Sequence, residues 1–493
     1  MKLAIPKLSS IIDSGSKVDE NFVYFVAFLY CISTGEIGAV ELFKTGKDSK
    51  YGKYSEAFQD TYRLGVGWSY GLATSCEMIA RKVSDQADDP TKLLLVKLSQ
   101  VVRLGDDLGL FLKDELKNAL QTFSIKYEAN LESQKLFSEM FYTLMSTASF
   151  MISANAIMSM LMGFGDAEQI LIVSMLGTGG GMAVFVVMMF FTFSRDKLAF
   201  TDKDIEKKFR MKMYMGLIPA IGIGAVLIIS GLIPPVLAVG LAGIPLLYPG
   251  ILAKKEESRV SAYTEWYPMF ILHFGQLYAT TGSMGTALQA VMRSNFGEIQ
   301  PHITALKNRI KNRIDQILAF NLFSIDAGNH LIANGNDIFS VSVYKGANMN
   351  IVGNVISDIT KKVTEMRGKR GQNASTFQLV VVILHVLSLG IFGLMSKLTE
   401  LFQEMSAGDI SNAAFELTPI DPALMAALMP MLLIMTSVIS GFAIKVIQGG
   451  TYKTVFFHIG LLLTIGGIAM FSISLFMGKF LDGIIFTAPV PGI

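Results

Sequence analysis

The chain has 493 residues, 51% of them hydrophobic, with 34 Phe, 28 Met and a mean hydropathy of +0.47. That is too apolar for a soluble protein of this size, while 17% charged residues is too many for a bundle buried wholly in lipid, so the two kinds of residue must be segregated along the chain. A formal net charge of +2 excludes the global basic field that nucleic-acid binding needs, and two cysteines without a CxxC spacing, Cys31 and Cys76, exclude a disulfide framework and a thiolate metal site and read as buried free thiols.

Residues 1–15 hold two lysines and no apolar core, which predicts no cleavable signal segment. The apolar run 21–35, bounded by Glu20 and Glu36, is too short to cross a bilayer. The whole stretch 1–139 is expected to be a cytoplasmic helical bundle. Leu93, Val96, Leu98, Val101, Val102 and Leu108 suggest an apolar face opposite Lys92, Lys97, Arg103 and Asp106, with a break at Asp88, Asp89 and Pro90.

A spanning helix needs about 20 apolar residues. Residues 140–165 are free of charge, and after an acidic link at Asp166 and Glu168 so are 169–194. The charge-free stretch 213–253 is about twice one helix and carries Pro234-Pro235 near its middle, which predicts a hairpin of two more spans. The block 140–253 therefore holds four transmembrane helices, with a basic link at 195–212. A second charged, helix-patterned region, 254–374, reads as another cytoplasmic bundle, with Leu306, Ile310, Ile314, Ile317 and Leu318 on one side of a helix carrying Lys307, Arg309, Lys311 and Arg313 elsewhere. Within 375–479 the runs 375–396, 422–443 and 454–478 predict three further spans, leaving 480–493 as a tail. The expected fold is all-α: about seven transmembrane helices and two cytoplasmic bundles.

Charge sign sets the orientation. The link after span two carries Arg195, Lys197, Lys203, Lys207, Lys208, Arg210 and Lys212, and Lys361, Lys362, Arg367, Lys369 and Arg370 precede span five, which places both on the cytoplasmic side. The link after span one is acidic, and the one after span five holds five acids against Lys397. The N-terminus is then inside and the tail outside. Thr201 with Asp204 three residues on predicts a short juxtamembrane helix in the basic link, suited to docking a partner or to lying on anionic membrane lipid.

The two charged regions open alike, Ser33-Thr34-Gly35-Glu36-Ile37-Gly38 matching Thr280-Thr281-Gly282-Ser283-Met284-Gly285. Two bundles, each with a [ST]-T-G-x-[IM]-G turn and each followed by membrane spans, resemble the type II secretion F domain of type IV filament platform proteins. Gly65, Gly67, Trp68, Ser69, Gly71 and the run Gly105-Asp106-Asp107-Leu108 resemble that domain's later turns, whereas Gly346 and Gly353 lack the Gly-Asp-Asp form. The whole chain resembles the archaellum assembly platform family and its archaeal pilus relatives. The resemblance implies a protein without chemistry or cofactor of its own that couples a cytoplasmic hexameric assembly ATPase to the movement of filament subunits, pilin or archaellin, in the cell membrane, and a homodimer fits a sixfold motor. It implies turn glycines at Gly35, Gly38, Gly105, Gly282 and Gly285. Candidates for the ATPase-facing surface are Lys203, Lys207, Lys208, Arg210, Lys307, Arg309, Lys311, Arg313, Arg367, Lys369 and Arg370.

No G-x-x-x-x-G-K-[ST], HExxH or GxSxG string occurs, and His273, His302, His330, His385 and His458 are too scattered in sequence to suggest a ligand set, so no enzyme activity is expected. His385 and His458 inside spans five and seven, together with Gly177, Gly179, Gly180 and Gly181 in span two, are what favours the rival reading of a secondary transporter. Packing between helices is the simpler use of both. An adhesive pilus or a secretion system is the alternative within the family.

Overall fold

The charge-free runs and the amphipathic stretches both fold as helix in the computed structural model, which describes residues 19–487 apart from 87, 163–166, 194–195, 197, 199–210, 212–213, 216–217, 220, 223–224, 228–232 and 408–421. Among the described residues there is no strand. In chain order the helices are α1 (Glu20–Ser33), α2 (Ala39–Lys47), α3 (Lys53–Tyr62), α4 (Leu72–Val83), α5 (Pro90–Leu104), α6 (Leu108–Met162), α7 (Ala167–Thr192), α8 (Pro235–Thr281), α9 (Met284–Val291), α10 (Gln300–Lys311), α11 (Gln316–Ala327), α12 (His330–Tyr344), α13 (Met349–Ala407), α14 (Pro422–Gln448) and α15 (Val455–Thr487). Five of them are long and apolar enough to cross a membrane: α7, α8, α13, α14 and α15.

Of the seven expected spans, the first is helical to Met162, but Ser146, Thr147, Ser149, Ser153 and Asn155 make it less apolar than those five. The third lies mostly outside the described residues. The last helix runs on to Thr487, so most of the expected tail continues α15.

The chain divides into two compact units, Met1–Ala129 with Lys197–Asp202 and Ser258–Gly368, and Asn130–Asp196 with Lys203–Glu257 and Lys369–Ile493. Both charged regions thus belong to one unit. Its two halves run in the same order. The helices α1 to α6 are answered by the end of α8 and then α9 to α13, with Gly105 before α6 and Gly346 before α13 both in the left-handed region. At the centre lies α1, where Val23 to Ile32 are all buried, as expected of a helix apolar on every side. Phe25 stacks on Tyr54 and meets Phe58 edge-on at 4.9 Å.

In α5 the buried stripe is Thr91, Leu94, Leu95, Leu98 and Ser99. This corrects the face inferred from Leu93, Val96 and Val101, since Leu93 is exposed and the i, i+3, i+4, i+7 spacing starts two residues earlier. Asp89 caps α5 through the amides of Thr91 and Lys92, with Pro90 at the first helical position.

The matching glycines of the two opening turns serve different ends. Gly282 is left-handed, φ +63°, and ends α8. In the first turn it is Glu36 that takes positive φ, and Gly35 is instead pressed against the second half, where an added Cβ would sit 2.6 Å from the Lys345 carbonyl oxygen. Nearby, Thr34 Oγ1 accepts from the Asn348 amide at 3.1 Å, and the Lys345 ammonium donates to Glu41. A Cβ at Gly38 or Gly285 would meet nothing within 4 Å.

The second unit is held by apolar clusters joining Phe141, Phe185, Phe377, Ile444 and Leu462, and Leu171, Leu389, Leu433 and Met470. α8 lies almost backbone to backbone on α15: a Cβ at Gly240 would be 2.9 Å from the Gly467 Cα, and one at Gly250 would be 2.3 Å from the Phe457 nitrogen. In α7 only Gly179 of the glycine run is packed, on Met435, and Gly177, Gly180 and Gly181 face out from the chain.

Candidate functional site

The expected partner-facing cations fall into three groups. Lys203, Lys207, Lys208 and Arg210, and the short helix expected around them, lie outside the described residues. Lys307, Arg309, Lys311 and Arg313 surround the turn between α10 and α11. Arg367, Lys369 and Arg370 sit along α13.

The α10–α11 turn breaks the single helix expected there. α10 ends at Lys311, Arg313 adopts φ +59°, and Asp315 caps the new helix by accepting from the Leu318 amide at 3.0 Å. Ile317 and Leu318 consequently swing onto the surface, 46% and 49% exposed, while Leu306 is buried and Ile310 half-buried. Arg309 turns inward to Asp326 of α11 at 2.6 Å. Lys311 and Arg313 are exposed and Lys307 half-buried, so the face presents cations beside two aliphatic side chains. His302 of α10 meets the Tyr263 ring edge-on, and burial holds its imidazole below the usual range, partly offset by Asp326.

The α13 group serves the interior. Arg367 donates to Glu20 at 2.8 Å, with the side chains 12% and 17% exposed. Lys369 is half-buried. Arg370 is 3% exposed: it donates from Nη1 to Asp196 at 3.0 Å, from Nε to the Ile447 carbonyl at 2.9 Å and from Nη2 to the Val446 carbonyl at 3.1 Å. The fixed guanidinium fork thereby ties α13 to the carbonyl end of α14.

Around Arg370 is a set of charges that the reading by spans passed over. Lys445, 1% exposed near the end of α14, lies 3.4 Å from Glu257 of α8, and the Lys254 ammonium sits 4.3 Å above the Phe457 ring. Lys445 was legible as a lone cation at the close of an apolar run. Its partner, 188 residues away, was not. The two histidines expected inside spans are held between helices: His385 Nε2 is 3.3 Å from the Leu462 carbonyl oxygen and 3.2 Å from the Ser437 hydroxyl, and His458 Nε2 is 3.0 Å from Gln448 Oε1. Among the described residues no three His, Cys, Asp or Glu converge as metal ligands.

The arrangement offers a helical unit with a basic and aliphatic face, and apolar helices joined by buried ion pairs. Comparison with known proteins bears on this. The chain is 24% identical over 495 residues to "Flagella accessory protein J" of Methanocaldococcus jannaschii, covering 94% of this chain and 86% of the relative. It is 22% identical over 482 residues to the protein of the same name from Methanococcus voltae, covering 92% and 84%. The chain is similar to flagella accessory proteins J along nearly its whole length. The likeness to these accessory proteins spans both charged regions and the apolar blocks after them, so it concerns the complete alternation rather than one bundle. Together with five long apolar helices, it marks a multi-pass membrane protein. No family model matches the chain, and no solved structure matches it significantly.

Proposed function

We propose that the chain is the membrane platform of an archaeal type IV filament machine, with archaellum assembly as its task, and that it couples a cytoplasmic hexameric ATPase to the insertion or extraction of filament subunits. The observation that carries this is the similarity, over 94% of the chain, to a flagella accessory protein J. The platform holds no active site. Its charged unit faces the cytoplasm and meets the ATPase through the cations Lys307, Lys311 and Arg313 and the basic link at 195–212. Its apolar helices cradle subunits at the bilayer. The helices α6, α8 and α13 each contain residues of both units, which supports a mechanical rather than a diffusible signal.

The test is affinity capture of the full chain from native membranes. Recovery of an assembly ATPase and filament subunits is expected. Replacing Lys307, Lys311 and Arg313 together by Glu should weaken ATPase capture, with wild-type capture falling as salt rises. Unchanged capture by the triple variant would remove this surface from the proposal. Solute or proton flux through liposomes holding the chain alone would favour a transporter instead.

A further inference from the structure

A cavity of ≈ 370 Å³ opens in the charged unit between the loop after α2 and the helices α11 and α12. It is the size of a small-ligand site. Its lining is mixed, with His330 and neutral Asn and Ser side chains lying alongside an apolar part and an acidic part. Ile317, Leu318 and Phe320 supply an apolar side, and Asp315 and Asp337 bring two carboxylates. Tyr51 also lines it, 5% exposed, and its buried hydroxyl has no hydrogen-bond partner. An orphaned hydroxyl beside a carboxylate costs free energy on the order of 1–3 kcal/mol unless something occupies the space.

One cation already reaches in. Lys50 places its ammonium 3.3 Å from Asp337, yet its side chain is 74% exposed against 20% for the acid. A lysine so exposed loses little on swinging away, because a surface ion pair is worth at most about 1 kcal/mol. Burial still holds the Asp337 carboxyl above its ordinary range, with Lys50 offsetting only part of the effect. Asp315 spends one oxygen on the Leu318 amide and keeps the other.

We propose that this cavity binds a small organic cation, an ammonium or guanidinium group on a short apolar stem, which displaces Lys50 from Asp337. The charged head lies against Asp337 and Asp315 and receives the Tyr51 hydroxyl's oxygen as a further acceptor. The stem lies along Ile317, Leu318 and Phe320. Two carboxylates against one exposed lysine in the lining disfavour an anion. The proposal is independent of the role in filament assembly.

The test uses the full chain in lipid nanodiscs, titrated by calorimetry with butylammonium and butylguanidinium, and with butyrate as the anionic control. Saturable binding of the cations and none of butyrate is expected. Asp337→Asn should weaken cation binding at least about tenfold, the loss of one charge-assisted hydrogen bond. Lys50→Ala, a surface change that leaves the fold intact, should tighten it several-fold by removing the internal competitor. Binding of butyrate, weaker cation binding by Lys50→Ala, or no saturable cation binding in wild type would each overturn the assignment.

Discussion

Arg370→Met isolates the contribution of the buried fork in the membrane unit. The substitution keeps the aliphatic bulk but removes three donors, leaving Asp196 without this cation and the Val446 and Ile447 carbonyls without these bonds. Breaking a buried ion pair from one side costs about 3–5 kcal/mol, because the surviving charge remains desolvated. In a unit of this size that corresponds to a fall in Tm on the order of 10 °C. The assay is thermal unfolding of the purified chain in detergent, followed by scanning calorimetry, because Cys31 and Cys76 both lie in the other unit and a thiol label would not report on this one. Adding Asp196→Asn in the same chain should restore part of the loss, since the amide no longer demands a cation. A single variant that melts with wild type would refute the reasoning and return Arg370 to the surface set.

Other substitutions probe separate contacts. Gly35→Ala should destabilise the charged unit by about 1–3 kcal/mol, because its Cβ meets backbone at Lys345, whereas Gly38→Ala, with open space around it, should stay within about 0.5 kcal/mol; urea unfolding of the two variants compares them directly. Gly250→Ala, whose Cβ would lie 2.3 Å from the Phe457 nitrogen, should separate α8 from α15 and lower the yield of monodisperse protein in detergent. His302 has a folded imidazole pKa below its ordinary 6.5, so protons bind the unfolded chain more readily. Its contribution is therefore intact above the ordinary value and is lost as pH falls from about 6.5 toward the depressed folded value. Unfolding curves between pH 7 and 5 should show this slope in wild type and a shallower one in His302→Gln.

The apolar blocks were legible because lipid-length runs without charge admit few other readings. Helix continuity was not: nothing in the sequence near Asn130 or Lys369 distinguishes a helix that passes straight on from one that stops. The α10–α11 break was hidden for a related reason. It contains no glycine or proline, and Arg313 supplies the left-handed residue, although Asp315 was available as a capping signal three residues before Leu318. The basic residues of α13 show the limit of charge counting. Arg367 and Arg370 look like a cytoplasmic flank, and the contacts that take them inward come from residues 347 and 174 positions away.

Those long separations have a consequence for biosynthesis. Glu20 waits for Arg367, Thr34 for Asn348 and Gly35 for the Lys345 carbonyl, so the earliest part of the chain emerges without the surfaces that complete it. Closure of the charged unit is deferred until the intervening apolar block has been translated, and the nascent first half must stay soluble in the interim. A truncated product ending before α8 would lack α12 and α13, which pack on α1, and would leave that apolar helix partly uncovered, marking it for the cell's proteases rather than for assembly.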